Sequence, residues 1–104
     1  MREIIRAGWG VLVGTVLALP AAAQDAAGIA AGKTVFLENC AACHGEDLTP
    51  NPPAADLKRL RPDQRARFNM VVMSGVSPDM PAWRGIVTEP QLDQLWAFIQ
   101  SMRR

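Results

Sequence analysis

Apolar positions recur with helical period in three stretches of the chain. Between Gln24 and Asn39, the residues Ile29, Lys33, Phe36, Leu37 and Cys40 mostly fall three or four apart, which predicts a helix leading into Cys40. Gly28 and Gly32 cost that helix stability. Gly32 stands one turn before Phe36, where a missing side chain lets a second helix approach closely. From Pro62 to Ser74, Phe68, Val71 and Val72 give an apolar side, and Met70 and Met73 are expected as core fillers. Pro62 and Asp63 suit the first turn of that helix, and Gly75 suits its end. From Thr88 to Met102, Leu92, Leu95, Trp96 and Ile99 form one apolar stripe, with Phe98 beside it. Thr88 followed by Gln91 predicts a capping box, and Arg103 and Arg104 suit the negative end of the helix dipole.

Between these stretches the period breaks. Gly45-Glu46-Asp47 is turn-like, and Thr49-Pro50-Asn51-Pro52-Pro53 cannot be helix interior. Gly75 to Trp83 is a second loop by its glycine and proline content. No segment reads as a convincing strand, so the expected fold is all-α.

The N-terminal stretch has a different character. Arg2 and Arg6, partly offset by Glu3, precede an apolar run from Val11 to Leu19, then Pro20 and Ala21-Ala22-Ala23. This is the pattern of a secretory signal, with cleavage expected after Ala23. The alternative is a retained anchor from Ala7 to Ala23, just long enough for a thinned bilayer; Pro20 and the small residues after it favour cleavage. The expected organisation is therefore a signal peptide, residues 1–23, and one domain, residues 24–104. Such a chain is exported, to the periplasm of a bacterium, with no membrane span once the signal is cut.

With 104 residues the chain holds one small domain, and cleavage leaves roughly 80 residues. A domain of that size buries little more than half of its unfolded surface and usually needs a staple. Charge says little about partners: Lys and Arg number 11 against 10 Asp and Glu, and removing Arg2, Arg6 and Glu3 leaves the two signs in balance. Nothing resembles a nucleic-acid-binding charge pattern. Lys58, Arg59, Arg61, Arg65 and Arg67 cluster, but Asp56 and Asp63 stand among or beside them, so a solvated face is expected first; the functional reading is that one arginine meets a carboxylate of a bound group.

The staple is written in Cys40-Ala41-Ala42-Cys43-His44, a C-x-x-C-H sequence that signals covalent attachment of a c-type haem. Two thiols three residues apart lie on one side of a helical turn, where each can add to one vinyl group of the same porphyrin. The histidine that follows is carried under the ring, where its imidazole can ligate iron. These are the only two cysteines and the only histidine in the chain. A zinc site would need further ligands, and a thioredoxin-like C-x-x-C would need a βαβ setting. The ring nitrogen of His44 turned away from iron is expected to find a backbone carbonyl in the loop, near Pro52 or Pro53. On the second loop, Met80 lies between Pro78 and Pro81, so its thioether stands on stiff, extended backbone and is the expected second axial ligand. Trp83 is expected to cover the haem edge or offer its N–H to a propionate.

These residues resemble the small class I cytochromes c of bacteria over nearly all of the chain after residue 23. Gly32-Lys33-x-x-Phe36-x-x-x-Cys40-x-x-Cys43-His44-Gly45 is similar to the family's first helix and haem site, Met80-Pro81-Ala82-Trp83 to its sixth-ligand loop, and Leu92-x-x-Leu95-x-x-Phe98-Ile99 to its final helix. The resemblance implies three to four helices wrapped around one haem, with the first and last crossing closely through Gly32, Phe36 and Phe98. The family often has tyrosine where Phe98 stands, so any hydroxyl contact there is absent. The Met80 loop also resembles that of cytochrome subunits serving quinoprotein and molybdenum dehydrogenases.

The expected cofactor is one haem c, attached through Cys40 and Cys43, with iron ligated by His44 and Met80. No open iron position then remains for substrate, so the expected role is that of an electron carrier without catalysis of its own. It would take single electrons from a periplasmic dehydrogenase toward an oxidase or reductase. Two other readings stand beside it. One is a haem subunit bound permanently to a dehydrogenase or oxidase. The other is a haem enzyme or gas sensor whose sixth ligand leaves easily.

Overall fold

The computed structural model describes residues 21–103, those before Asp25 by their backbone alone. Most of the expected signal segment therefore lies outside the described residues. Ala21–Ala23 belong to helix α1 (Ala21–Asn39), and after one residue, Cys40, the short helix α2 (Ala41–His44) follows. Two 3-10 turns, Leu57–Arg59 and Pro62–Gln64, lead into α3 (Arg65–Ser74), and α4 (Glu89–Ser101) completes the order. Among the described residues, extended pairing is confined to two isolated bridges, Val76 with Met80 and Arg84 with Val87. The all-α expectation holds. Among the described residues, no helix is long and apolar enough to cross a membrane.

The frame of the domain is the packing of α1 against α4. Gly32 is the point of closest approach: a Cβ there would lie 2.0 Å from the backbone oxygen of Gln94. One turn on, Phe36 meets Phe98 with ring centroids 5.4 Å apart at 48°, a tilted contact worth more than its area alone. The crossing thus uses the three residues that the resemblance pointed to. α4 begins as the sequence predicts. The Thr88 hydroxyl accepts from the Gln91 amide at 3.3 Å, and the Gln91 side-chain oxygen accepts from the Thr88 amide at 2.9 Å.

The predicted second helix is present but divided. Its first turn, Pro62–Gln64, is 3-10, and the α-helix proper starts at Arg65. Phe68, Val72 and Met73 are buried on α3. Phe68 packs against Trp96 of α4 in a tilted contact, centroids 5.2 Å apart. Met73 is the expected core filler, but Met70 is not: it is 62% exposed. Two residues after Phe68 on a helix is a rotation of about 200°, which turns Met70 away from the packed side.

The remaining core comes from Val35, Leu92, Leu95 and Ile99, and from two residues outside the helices, Val87 and Leu48, the latter with no exposed surface. Burying side chains of this size contributes roughly 1.5–3 kcal/mol each. The loop carrying Leu48 and the end of α4 are joined by two long-range hydrogen bonds. Gln100 Nε2 donates to the Leu60 carbonyl at 3.0 Å, and Arg103 Nε to the Lys58 carbonyl at 3.1 Å.

Candidate haem site

The helices and both loops surround one cavity of about 710 Å³, within the size range of small-molecule and cofactor sites. Its apolar walls come from the whole domain: Phe36 of α1, Leu57 and Leu60 of the first loop, Phe68 of α3, Leu95 and Ile99 of α4. Cys40, Cys43, His44 and Met80 all line it. The structure thus brings together the four residues singled out in the sequence.

Local geometry explains how each arrives. Cys40 lies between α1 and α2, its amide donating to the Phe36 carbonyl at 2.8 Å while its own carbonyl accepts from His44 at 3.0 Å. The backbone therefore continues its turn through the junction and presents Cys40, Cys43 and His44 to one cavity. Cys40 is half-buried and Cys43 is exposed, and no disulfide joins them. Burial, with the charge of Cys43 adding to it, pushes the Cys40 thiol up to about 11.

The first loop secures His44. Gly45 has φ +82°, and a Cβ on it would lie 2.0 Å from the Thr49 oxygen, so only glycine fits this turn. Asn51 then folds back onto α2, its amide donating to the Cys43 carbonyl at 2.9 Å and its Nδ2 to the Ala42 carbonyl at 3.2 Å. That return brings the Ala55 carbonyl to 3.0 Å from His44 Nδ1. A proton on Nδ1 is then held by the carbonyl, and Nε2 keeps its lone pair. The acceptor expected near Pro52 or Pro53 is thus Ala55, two residues beyond Pro53.

The second loop hangs from the end of α3. Gly75 has φ +73° and its amide donates to the Val71 carbonyl at 2.8 Å. Val76 and Met80 exchange both backbone hydrogen bonds at 2.8 Å, a tight hairpin that fixes the backbone of Met80. Past it, the Trp83 amide donates to the Val72 carbonyl at 2.9 Å and the Arg84 amide to the Met73 carbonyl at 3.2 Å. The last carbonyls of α3, unpaired within the helix, are therefore what hold this loop. Trp83 is half-buried and lines the cavity.

Charged groups border the cavity in small number: Asp56 and Arg59 on the first loop, Arg67 on α3 and Asp79 beside Met80. Most of the basic cluster is a solvated, internally balanced face, as expected. Arg59 Nε stands 3.8 Å from Asp56, Arg61 Nε is 3.1 Å from Asp63, and Arg65 pairs with Asp93 on α4. The donor set and the apolar walls fit a porphyrin: two thiols a helical turn apart, an imidazole with one nitrogen already engaged, and a thioether on a braced loop.

Sequence reasoning missed Ala55, Leu48 and which arginine reaches the cavity without a carboxylate partner, Arg67. The first acts through its carbonyl alone, so its residue type carries no signal. The second sits in a proline-rich loop without periodicity. The third lies in a cluster of similar arginines that only packing can sort.

Comparison with known proteins agrees with this geometry. The family model described as cytochrome c oxidase, cbb3-type, subunit III matches residues 27–99. The chain is 32% identical to the cbb3-type cytochrome c oxidase subunit CcoP of Azospirillum sp. (strain B510), over 84% of this chain and 33% of the relative. It is 38% identical to the cbb3-type subunit FixPc of Rhizobium leguminosarum bv. viciae, over 69% of this chain and 27% of the relative. It is 31% identical to the quinohemoprotein alcohol dehydrogenase ADH-IIG of Pseudomonas putida, over 77% of this chain and 11% of the relative. The chain thus spans a third or less of these relatives. No solved structure matches. The match over residues 27–99, on a helical frame closed around one apolar cavity, makes the chain a member of the cbb3-type cytochrome c oxidase subunit III family, an electron-transfer c-type cytochrome with covalently bound haem c.

Proposed function

We propose that the chain carries single electrons on one haem, bonded through thioethers at Cys40 and Cys43, with His44 and Met80 as the two axial ligands. The observation that carries this reading is the cavity: residues 40, 43, 44 and 80, far apart in sequence at their extremes, line one apolar space with His44 Nδ1 already bonded to Ala55. When bound, the haem supplies a one-electron couple. The chain's own residues do the rest. The Ala55 carbonyl fixes the orientation of the His44 ring. The hairpin at Val76 and Met80 holds the thioether at a set position. A thioether ligand stabilises the reduced state relative to a second nitrogen. The core side chains keep water from the ring.

Both axial positions taken leave none for substrate, which favours electron transfer over oxygen or gas chemistry. The test is the exported holoprotein. Mass spectrometry is expected to give the polypeptide plus one haem, and the reduced protein is expected not to bind carbon monoxide. Met80→Ala is expected to lose the sulfur–iron band near the red edge of the oxidised spectrum and to bind the gas quickly. A wild-type protein that binds it rapidly overturns the His44/Met80 pair in favour of a sensor or enzyme.

Export to the periplasm follows from the N-terminal pattern, and N-terminal sequencing is expected to find Gln24 first. A periplasmic dehydrogenase as donor and an oxidase or reductase as acceptor fit a carrier in that compartment, docking through a small, transient interface. A dedicated subunit is the second reading, favoured by relatives that are themselves named as oxidase subunits. Purification as a stable complex supports that arrangement; a monomer in gel filtration supports the free shuttle.

A further inference from the structure

We propose that Arg67 anchors a propionate carboxylate of the haem at the cavity rim; the proposal rests on the haem reading given above. Five basic side chains lie between residues 58 and 67, and the structure sorts them. Arg59, Arg61 and Arg65 each stand by a carboxylate, on Asp56, Asp63 and Asp93. Arg65 also lies over the Trp96 ring, 6.0 Å from its centroid. Among the described residues, Lys58 and Arg67 have no carboxylate within ion-pair distance. Of these two, only Arg67 lines the cavity.

Its place on α3 fits the role. Gln64, Arg67, Phe68 and Val71 line the cavity at spacings of three or four, so one side of the helix faces it. Phe68 and Val71 supply apolar wall, and Arg67 supplies a cation at the margin. The other charged groups that border the space are Asp56 and Arg59, which neutralise each other, and Asp79, which repels a carboxylate. His44 is committed to Ala55. An anionic edge entering this cavity therefore meets one uncompensated positive charge, that of Arg67. Its planar guanidinium can grip both oxygens of a carboxylate, which a lysine cannot do.

Such a cation has two effects on a bound haem. It stabilises the added electron, so the midpoint potential rises. It also favours the ionised carboxylate, so the pH-dependent step in the potential moves to lower pH.

The experiment compares wild type, Arg67→Gln, Arg67→Met, Arg67→Lys and Arg61→Gln as intact holoproteins, with haem content read from their masses. Midpoint potentials are measured spectroelectrochemically from about pH 4 to about pH 9. The two neutral variants at position 67 are expected to have lower potentials near neutrality, with the pH step displaced upward by about one unit. Arg67→Lys is expected to fall between them and wild type. Arg61→Gln is expected to follow wild type, because Arg61 is paired with Asp63 and does not line the cavity. Haem-loaded Arg67→Gln or Arg67→Met with the wild-type curve overturns the assignment, as does an equal displacement in Arg61→Gln. A wild-type chain without added haem mass would instead overturn the underlying haem reading.

Discussion

Gly32 carries the tightest steric demand on the helix frame. Its missing side chain leaves no gap for a methyl group, because the nearest atoms are the Gln94 oxygen at 2.0 Å and its carbonyl carbon at 2.5 Å. Backbone cannot swing aside as a long side chain can. Gly32→Ala is therefore expected to destabilise the holoprotein by about 1–3 kcal/mol, as overpacking does, read as a lower midpoint in guanidinium unfolding. This residue was legible in the sequence because its spacing to Phe36 and Cys40 marks a helix face. Met70 was misjudged for the opposite reason. A methionine inside an apolar helix reads as core, and only the arc fixed by Phe68, Val72 and Met73 shows that position 70 falls outside it. Ala55 had no signature at all, since a backbone carbonyl belongs to every residue.

At the scale of elements, the helices were legible and the loops were not. α4 was marked at its start by Thr88 and Gln91 and along its length by a single stripe, and both signals are local. Thr88→Ala removes an acceptor from the first turn and is expected to cost about 1 kcal/mol, measurable as a lower melting temperature with unchanged spectra. α3 was displaced at its start because Pro62 opens a 3-10 turn before the α-helix begins. The loop from Gly45 to Ala55 is organised by long-range bonds to α2 and by Leu48, buried with φ +66°; neither feature has a sequence period. A local bond also contributes. The Asp47 carboxylate accepts from the Thr49 amide at 3.1 Å, and this bond, first among several, holds the Asp47 carboxyl below its ordinary value. A group whose value is lower folded than unfolded stabilises above the unfolded value and loses that contribution as pH falls through the folded one. Holoprotein melting temperatures measured from about pH 5 to about pH 2 are expected to fall less steeply in Asp47→Asn than in wild type.

For the molecule as a whole, the cavity and the core are the same structure. Phe36, Phe68, Leu95 and Ile99 are core residues that also line the cavity, so the apolar face of a porphyrin would complete the interior. A small domain buries a modest share of its unfolded surface, so such a staple is expected to supply much of the stability. The Cys40→Ala/Cys43→Ala variant, lacking covalent haem, is expected to show weak helicity by far-ultraviolet circular dichroism and no cooperative melt. A sharp transition with native helicity would mean that the frame of α1 and α4 stands alone. The need for a staple was visible from length and composition; which side chains would serve both core and cavity was not, because that depends on how the described helices close. The turn at Gly75 has a consequence on this scale. With φ +73° and the Met80 oxygen 2.6 Å from where a Cβ would sit, it leaves no room for one more carbon. Under the proposed Met80 ligation, Gly75→Ala is expected to lever the hairpin outward and take the sulfur with it, turning a molecular wire into a reactor with one open port. The distance between those two trades is a single methyl group in a bend that touches no electron.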